Sequence, residues 1–500
     1  MKIGDFPQEI RPYVMPEPRG EMAYSCLGCT REFDIDELLY TCPECGGVLL
    51  LRDRELERAR ELDGKKWRQI FDYRKMINNR ALKGIFRYYE FIAPVIPLED
   101  IVYLGEGHTP LVEANNRLED MVGLRFFFKN DGLNPSASFK DRGMACALSY
   151  VNHLARKKGL NNLLAICAST GDTSASAALY CAYLDDFLKA AVLLPHGKVT
   201  PHQLSQPLGS GARVLEIPGV FDDCMKVVES LAENYHVALL NSKNSWRILG
   251  QESFSFEIAQ ELDYEVGDKV VVLPIGNAGN ITAVMSGFLK LRGAGIIEDL
   301  PKVVGVQSEH ADPVYRYYME EDSTRRRFVP VSVRPSVAQA AMIGNPVSMP
   351  RVISVVDEYN QVAGEKRVFV VQVEEQEIMD WMIIANRNGN IACTQGGESL
   401  AGFVKAVEKG YAGPDEIGVL DSTAHMLKFI NFQEMYFQDS FDPQFNVRPR
   451  GELRNAPVLV RPDRIRTYPG PGKPLGKKDM DQFVREMSRE IAGMLGLEKK

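Results

Sequence analysis

Residues 134–143 read Asn-Pro-Ser-Ala-Ser-Phe-Lys-Asp-Arg-Gly, a run of small and polar residues that ends in one lysine, Lys140. Ser138 is typical of a helix start, and apolar residues at helical spacing predict a helix over 141–157. A lysine at such a start is usually a solvated charge. Here Phe139 precedes the lysine and an apolar helix face follows it, and a partly desolvated lysine has a lowered pKa and can form a Schiff base. Structural burial would lower the pKa in the same way, so the residues alone leave both readings open.

Short apolar runs alternate with amphipathic stretches from about residue 101 to 421. The runs are typical of buried parallel strands, and they are 163–167, 190–194, 270–274, 303–306, 368–371 and 417–420. The stretches between them predict helices, for example 174–184, 221–234 and 280–292. This alternation predicts an α/β fold with mostly parallel sheets and helices on both faces.

Composition narrows the classes of protein to consider. Of 500 residues, 45% are apolar and 25% charged, and the net charge is −8. A chain with this charge is not built to neutralise nucleic-acid phosphates or to coat an anionic membrane. The first twenty residues lack the apolar region of a secretory signal, and no apolar run is long enough to span a bilayer. We therefore expect a cytoplasmic protein with neither nucleic acid nor membrane as a partner.

Two Cys-x-x-Cys pairs, Cys26 with Cys29 and Cys42 with Cys45, are separated by twelve residues. Two such knuckles can complete a tetrahedral four-sulfur zinc site, which would be closed and therefore structural. The alternatives are two disulfides or four unrelated thiols, and a reducing compartment disfavours the disulfides. Only one basic residue lies in 22–51, which argues against nucleic-acid binding by this segment.

The order of these patterns predicts four regions. Residues 1–60 form a zinc ribbon, and 61–100 form a helical, aromatic connector that lies on the main body. The catalytic core follows at 101–437. Residues 438–500, which are rich in proline, arginine and glycine at first, form an irregular arm that ends in a helix over 479–495.

Two further segments each follow a predicted strand and open a predicted helix. Residues 169–175 read Ser-Thr-Gly-Asp-Thr-Ser-Ala, and they place hydrogen-bond donors at the carboxyl edge of a sheet, where α/β folds bind ligands. Residues 276–280 read Gly-Asn-Ala-Gly-Asn, and such a turn can cradle a phosphate with its backbone N–H groups and the helix N-terminus. The alternative for both is a plain capped turn that binds nothing.

Gly107-His-Thr-Pro-Leu111 and Ser138-Phe-Lys-Asp-Arg-Gly143 resemble the signature of the β-family of pyridoxal-phosphate enzymes. Residues 167–174, 241–247 with 250–252, 343–348 and 421–428 resemble the threonine synthases in that family, especially the plant-like group. The resemblance covers about residues 100–435. It implies a tryptophan synthase β-like fold (fold type II) with two parallel-sheet subdomains, the smaller and mobile one, about 140–240, being inserted in the larger.

The same resemblance implies a pyridoxal 5′-phosphate cofactor bound to Lys140 through a Schiff base. It assigns to the cofactor Phe139, Lys140, Asp172, Gly276, Asn277, Ala278, Gly279, Asn280 and Thr423. The hydroxyl of Thr423 would face the nitrogen of the cofactor ring. At the position of Asp172, many family members carry asparagine. It assigns to the substrate Ser138, Ser169, Thr170, Thr173, Asn241, Ser242, Asn244 and Arg247.

Asn241, Ser242, Asn244 and Arg247 resemble the group that holds the substrate's phosphate, and an arginine with short amides suits an anion. Surface ion pairing by Arg247 is the alternative. The implied enzyme is a homodimer that converts O-phospho-L-homoserine and water to L-threonine and phosphate, a lyase of threonine biosynthesis. A minimal threonine synthase lacks the paired cysteines and the long C-terminal tail, so two alternative functions remain open. One is a cysteate-synthase-like enzyme on another phosphorylated amino acid; the other is a non-catalytic relative that binds a protein partner.

Overall fold

Three β-sheets organise the chain. The computed structural model describes residues 1–169, 171–184, 187–196, 201–219, 221–465, 467–475 and 480–499. The first sheet lies near the N-terminus and is antiparallel, with the strand order β2-β1-β3. Its strands are β1 (Met22–Cys26), β2 (Glu32–Asp34) and β3 (Leu49–Asp53).

The other two sheets confirm the predicted α/β class. Their strands are β4 (Leu111–Glu113), β5 (Phe126–Lys129), β6 (Leu163–Ala168), β7 (Leu188–Pro195), β8 (Arg213–Ile217), β9 (Val237–Leu239), β10 (Lys269–Pro274), β11 (Lys302–Ser308), β12 (Val368–Val373) and β13 (Ile417–Asp421). The larger sheet has the order β12-β11-β10-β13-β5-β4 and is parallel except for the pair β4–β5. The smaller sheet, β8-β7-β6-β9, is parallel throughout. All six predicted strands are present, as β6, β7 and β10 to β13.

The predicted helices are confirmed, with ends that differ by at most three residues. The α-helices in the described residues are α1 (Arg11–Val14), α2 (Gly64–Met76), α3 (Tyr89–Ile92), α4 (Asn116–Val122), α5 (Lys140–Lys158), α6 (Asp172–Tyr183), α7 (Pro201–Gly209), α8 (Phe221–Asn234), α9 (Ser245–Glu261), α10 (Gly279–Gly293), α11 (Pro313–Met319), α12 (Met349–Ala363), α13 (Glu375–Arg387), α14 (Thr394–Glu408), α15 (Ile430–Gln438) and α16 (Met480–Leu495). Short 3₁₀ helices lie at Ile3–Asp5, Leu56–Glu61, Ile85–Tyr88, Leu98–Asp100, Asp131–Leu133, Gln339–Ala341, Met426–Phe429, Pro443–Phe445 and Gly451–Leu453.

Helices α5 and α9 cross closely in the core, and the crossing depends on glycine. A Cβ at Gly250 would lie 2.1 Å from the carbonyl oxygen of Arg142, and a Cβ at Gly143 would lie 3.0 Å from that of Arg247. Each helix therefore needs a residue without a side chain where the backbones approach. This crossing brings the start of α5, with Lys140, near the first turn of α9, with Arg247.

The N-terminal region, which carries the first sheet, is hydrogen-bonded to the smaller sheet and to α9. The Tyr40 hydroxyl accepts from the backbone N–H of Leu239 at 2.9 Å and donates to the carbonyl of Val237 at 3.2 Å, so it pairs with the outer edge of β9. The indole N–H of Trp246 donates to the hydroxyl of Tyr24 at 2.9 Å. These bonds fix the N-terminal region against the elements that lead into α9.

Residues 1–450 form one compact unit and residues 451–500 a second one, which contains α16. Among the described residues, none of the helices combines the length and the apolar character that crossing a bilayer requires.

Candidate active site

Lys140 lies at the carboxyl edge of the larger sheet. The residues before it pair with the segment that follows β13: Ser138 forms a β-bridge with Ala424, and the backbone N–H of Phe139 donates to the carbonyl of Thr423 at 2.8 Å. β13 ends at Asp421, so this pairing fixes the first residue of α5 beside the end of a central strand. Ligands of α/β folds bind at such strand ends.

The Lys140 side chain is half-buried, and its nitrogen lies 4.2 Å from the centre of the Phe139 ring. Within the described residues it has no hydrogen bond to an acceptor and no ion pair. Burial lowers its pKa to about 8, with a further contribution from the positive charge of Arg247, while Asp172 and Asp421 oppose the shift. A lysine with this pKa is partly neutral near physiological pH and is therefore a usable nucleophile.

The glycine turn at 276–280 connects β10 to α10. Ala278, the residue before α10, has a φ of +61° and offers no side-chain cap to the first-turn N–H groups. A Cβ at Gly276 would lie 3.1 Å from the Cα of Ala341, so the turn is fitted against backbone. Uncapped amides at a helix N-terminus suit a phosphate group, and the residues therefore fit the phosphate of the predicted cofactor.

Asn277 and Asn280, two other predicted cofactor residues, fix this turn. The side-chain oxygen of Asn277 accepts from the N–H of Val347 at 3.4 Å. The Asn280 amide donates to the Asp421 carboxylate at 2.9 Å, which links the turn to the end of β13. Since Asp421 also acts on the pKa of Lys140, the glycine turn and the lysine belong to one site.

Three buried oxygens at this edge have no hydrogen-bond partner within the described residues. They are Oγ of Ser138, Oγ of Ser422 and Oδ1 of Asp421. The hydroxyl of Thr423, which is also buried, lies 3.8 Å from the thiol of Cys393. Buried polar atoms are normally paired, so unpaired ones around a lysine indicate a ligand site.

The loop at 169–175 lies at the carboxyl end of β6 in the smaller sheet. Asp172 is buried and is the first residue of α6, Thr173 is half-exposed, and the Ser169 hydroxyl accepts from the N–H of Gly171 at 3.3 Å. Thr170, the other predicted substrate residue of this loop, lies outside the described residues. The charge of Asp172 acts on Lys140, so this loop faces the lysine.

The four residues that were predicted to bind the substrate's phosphate are of two kinds. Asn241 bonds the backbone of Ala168 through both of its amide atoms, at 2.7 and 3.0 Å, and Asn244 caps α9 by accepting from the N–H of Trp246 at 2.9 Å. The carbonyl of Ser242 accepts from the buried Arg351. These three residues hold the loop that leads into α9.

Arg247 is the exception, because it is a buried cation without a carboxylate partner in the described residues. One of its N–H groups donates to the carbonyl of Leu240 at 3.0 Å, and its Nε has no hydrogen-bond partner in the described ranges. Burial lowers its pKa to about 10. A buried charge is normally paired, so Arg247 is suited to an anionic ligand. Surface ion pairing, the alternative for this residue, is wrong, since the side chain is 3% exposed.

Several site residues were not predicted from the sequence. Arg142 is neutralised by Asp131 at 2.7 Å and by Glu257 at 2.5 Å, and this buried cluster holds the start of α5 against α9. Lys428 lies 3.4 Å from the Asp172 carboxylate. Lys428 ends the segment 421–428, whose resemblance to threonine synthases was the one signal that could have identified it, whereas no local pattern marks Glu257.

The four paired cysteines converge. Their sulfur atoms all lie within 4.8 Å of one another, and Cys26 Sγ accepts from the backbone N–H of Gly28 at 3.3 Å. The pairs Cys26–Cys45 and Cys29–Cys42 have sulfur atoms 3.5 and 3.6 Å apart, too far for disulfide bonds, and all four thiols are free. A Cβ at Gly47 would lie 3.0 Å from Cys26 Sγ, so glycine makes room for the cluster. Four converging thiols with backbone N–H donors fit a tetrahedral metal ion.

Comparison with known proteins agrees with this site. The profile of the family described as pyridoxal-phosphate dependent enzyme matches residues 102–422. A threonine synthase of Methanocaldococcus jannaschii is 36% identical over 81% of this chain and 93% of its own length. The chloroplastic threonine synthase 2 of Arabidopsis thaliana is 33% identical over 86% of this chain and 80% of its own length.

Solved structures share the fold. The threonine synthase of Escherichia coli superposes with a TM-score of 0.61 at 19% identity, covering 84% of this chain and 92% of that chain. The yeast threonine synthase superposes with a TM-score of 0.58 at 17% identity, covering 87% and 94%. Together with the converging lysine and glycine turn, these relationships establish that the chain belongs to the pyridoxal-phosphate dependent enzymes and, among them, to the threonine synthase family.

Proposed function

We propose that this protein is a threonine synthase that converts O-phospho-L-homoserine and water to L-threonine and phosphate. The observation that carries the proposal is the buried Arg247, which has no carboxylate partner among the described residues and lies close enough to Lys140 to lower its pKa. An unphosphorylated substrate would leave this cation uncompensated. The relatives named threonine synthase support the same substrate class.

The residues at the carboxyl edge divide the work of holding the cofactor. The first-turn amides of α10, with Gly276 to Asn280, would hold its phosphate. Thr423 would face the ring nitrogen, and Lys140 and Phe139, with Asp172, would border its reactive end. Pyridoxal 5′-phosphate supplies an electron sink that stabilises negative charge next to the substrate's α-carbon.

The protein's own side chains perform the proton transfers and bind the anions. Lys140 removes and returns protons at the α- and β-carbons, which requires a neutral amine and therefore a lowered pKa. Arg247 binds the substrate's phosphate and stabilises it as it leaves the γ-carbon, and Asn241, Ser242 and Asn244 hold the loop that positions this arginine. Ser138, Ser169, Thr170 and Thr173 would bind the substrate carboxylate. Water then adds at the β-carbon.

The decisive experiment measures phosphate and threonine formed from O-phospho-L-homoserine by the wild type and by Lys140→Ala. We expect stoichiometric products from the wild type and a loss of at least about a thousandfold in the variant, because one group supplies both the covalent anchor and the proton transfers. Lys405→Gln, in α14, is the matched lysine control.

The same preparation separates the rivals. Turnover of O-phospho-L-serine with sulfite but not of phosphohomoserine would identify the cysteate-synthase-like alternative. A colourless protein that does not change on borohydride reduction in the presence of the cofactor would identify a non-catalytic relative.

We propose in addition that the four cysteines hold a structural zinc ion, that residues about 140–240 move as the smaller subdomain, and that the protein is a cytoplasmic homodimer. The nine cysteines without disulfides support a reducing compartment. The family resemblance alone supports the mobile subdomain and the dimer. Metal analysis, hydrogen exchange with and without substrate, and sedimentation of the purified protein test these three properties.

A further inference from the structure

Lys428 joins three parts of the site that are distant in sequence. Its ammonium group lies 3.4 Å from the Asp172 carboxylate at the start of α6. It also donates to the carbonyl of Ser136 at 3.0 Å and to the side-chain oxygen of Gln206 in α7. Gln206 donates in turn to the same Ser136 carbonyl at 3.1 Å. One cation therefore ties two helices of the smaller sheet to the loop that carries Lys140 and to the segment after β13.

Asp172 interacts with two lysines, Lys428 by direct contact and Lys140 through its charge. Its carboxylate is buried, its charge acts on Lys140, and its direct ion-pair partner in the described residues is Lys428. A substrate with a carboxylate and a phosphate must enter beside this buried negative charge. Without a neutralising cation, Asp172 would repel such a substrate, and the repulsion would be strong because the site is shielded from water.

We propose that Lys428 is a positioning residue of the reaction, which neutralises Asp172 and holds α6 and α7 against the Lys140 loop, and thereby sets the affinity of the site for a doubly anionic substrate. The proposal rests on the proposed function for the nature of the substrate. The connection between the two subdomains does not depend on the proposed function, because the contacts of Lys428 alone support it.

Steady-state kinetics on O-phospho-L-homoserine test the role of the charge. We expect Lys428→Gln to raise KM by about tenfold or more while kcat changes by less than about threefold, because the lost pair acts on binding. Lys428→Arg, which keeps the charge, should retain most of the affinity. Lys405→Gln, which removes a lysine of α14 that pairs with Glu377 of α13, should leave both constants unchanged. If Lys428 acted only on stability, its replacement would lower the melting temperature without raising KM more than it changes kcat.

The double variant Asp172→Asn with Lys428→Gln tests whether the two residues act as a pair. If Lys428 neutralises Asp172, removal of both charges raises KM by less than the product of the two single effects. The proposal would be overturned if the double variant raised KM by the full product of the two single effects, or if Lys428→Gln had the same KM as the wild type.

Hydrogen exchange of the cofactor-loaded protein gives a readout that needs no substrate. Lys428→Gln should speed amide exchange in α6 and α7 and leave β10 of the larger sheet unchanged. A wild type that releases no phosphate from phosphohomoserine would refute the proposed function but leave this result intact. Unchanged exchange in α6 and α7 would refute the connection whatever the substrate proves to be.

Discussion

Lys140 and Arg247 are two cations of one site, and the positive charge of Arg247 adds to the lowering of the Lys140 pKa by burial. The local setting of Lys140, between an aromatic residue and an apolar helix, left a purely structural role open, and the family resemblance decided in favour of a catalytic one. The sequence could not show that Arg247 has no carboxylate partner in the described part of the chain, because that depends on which carboxylates the folded chain brings near. Arg142 shows the difference: it is equally buried, but Asp131 and Glu257 neutralise it.

The lowered pKa of Lys140 predicts a pH dependence of the cofactor-free protein. The folded-state pKa of about 8 lies below the ordinary value of 10.5, so between these values the unfolded chain binds more protons than the folded one. The free energy of unfolding of the wild type, relative to Lys140→Met, should therefore rise from pH 8 to 10.5 and be flat below pH 8. Urea unfolding at a series of pH values measures it. A difference independent of pH would contradict the lowered pKa.

Arg247→Met should separate stability from activity. Removal of a buried, unpaired cation relieves its desolvation, so the thermal midpoint should stay equal or rise. KM for the phosphorylated substrate should rise by about a hundredfold, because the phosphate loses its buried partner. Calorimetry and phosphate release measure the two effects. Arg125→Met, which removes an exposed arginine just before β5 of the larger sheet, is the control. A large fall in the stability of Arg247→Met would show that Arg247 is structural.

At the scale of elements, the sequence predicted the fold well where each element shows its own period. The six predicted strands are continuous apolar runs, and the helices between them are amphipathic. Two strands of the smaller sheet were missed because they lack this signal: β9 has only three residues, and β8 has exposed or half-buried side chains throughout. The crossing of α5 and α9 was also missed, because Gly143 and Gly250 mark a close approach only when both helices are known.

The turn before α10 predicts opposite effects for two neighbouring substitutions. Gly276→Ala should weaken cofactor binding by about tenfold or more, since the added methyl group would lie 3.1 Å from the Ala341 backbone and displace the turn. Ala278→Gly should keep the affinity and stabilise the protein by about 0.5–1 kcal/mol, because Ala278 has a positive φ. Titration of the cofactor followed by absorbance measures the affinities. Equal affinities for the two variants would mean that this turn does not hold the phosphate.

At the scale of the whole molecule, the sequence predicted the cysteine cluster but not its connection to the core. Buried Arg351 donates to the carbonyl of Leu49 in β3 at 2.9 Å and also to that of Ser242, which precedes α9. Burial lowers its pKa to about 9. No local pattern predicts that an arginine of α12 satisfies carbonyls from two such distant segments. The N-terminal sheet is thus part of the scaffold that orients Arg247.

Loss of the proposed zinc ion should therefore weaken substrate binding more than cofactor binding. Without the metal the two knuckles are no longer fixed, and the hydrogen bonds of Tyr40 to β9 and of Leu49 to the segment at the start of α9 should weaken. The glycine turn before α10, by contrast, has no hydrogen bond to the ribbon among the described residues. For Cys42→Ser we expect less than stoichiometric zinc, a thermal midpoint lowered by about 5 °C or more, and a KM that rises more than the dissociation constant of the cofactor. Cys224→Ser, which removes a buried thiol in α8, controls for the loss of a thiol. A full zinc content in Cys42→Ser, or a cofactor affinity that falls as steeply as the substrate affinity, would show that the ribbon does not orient the anion site.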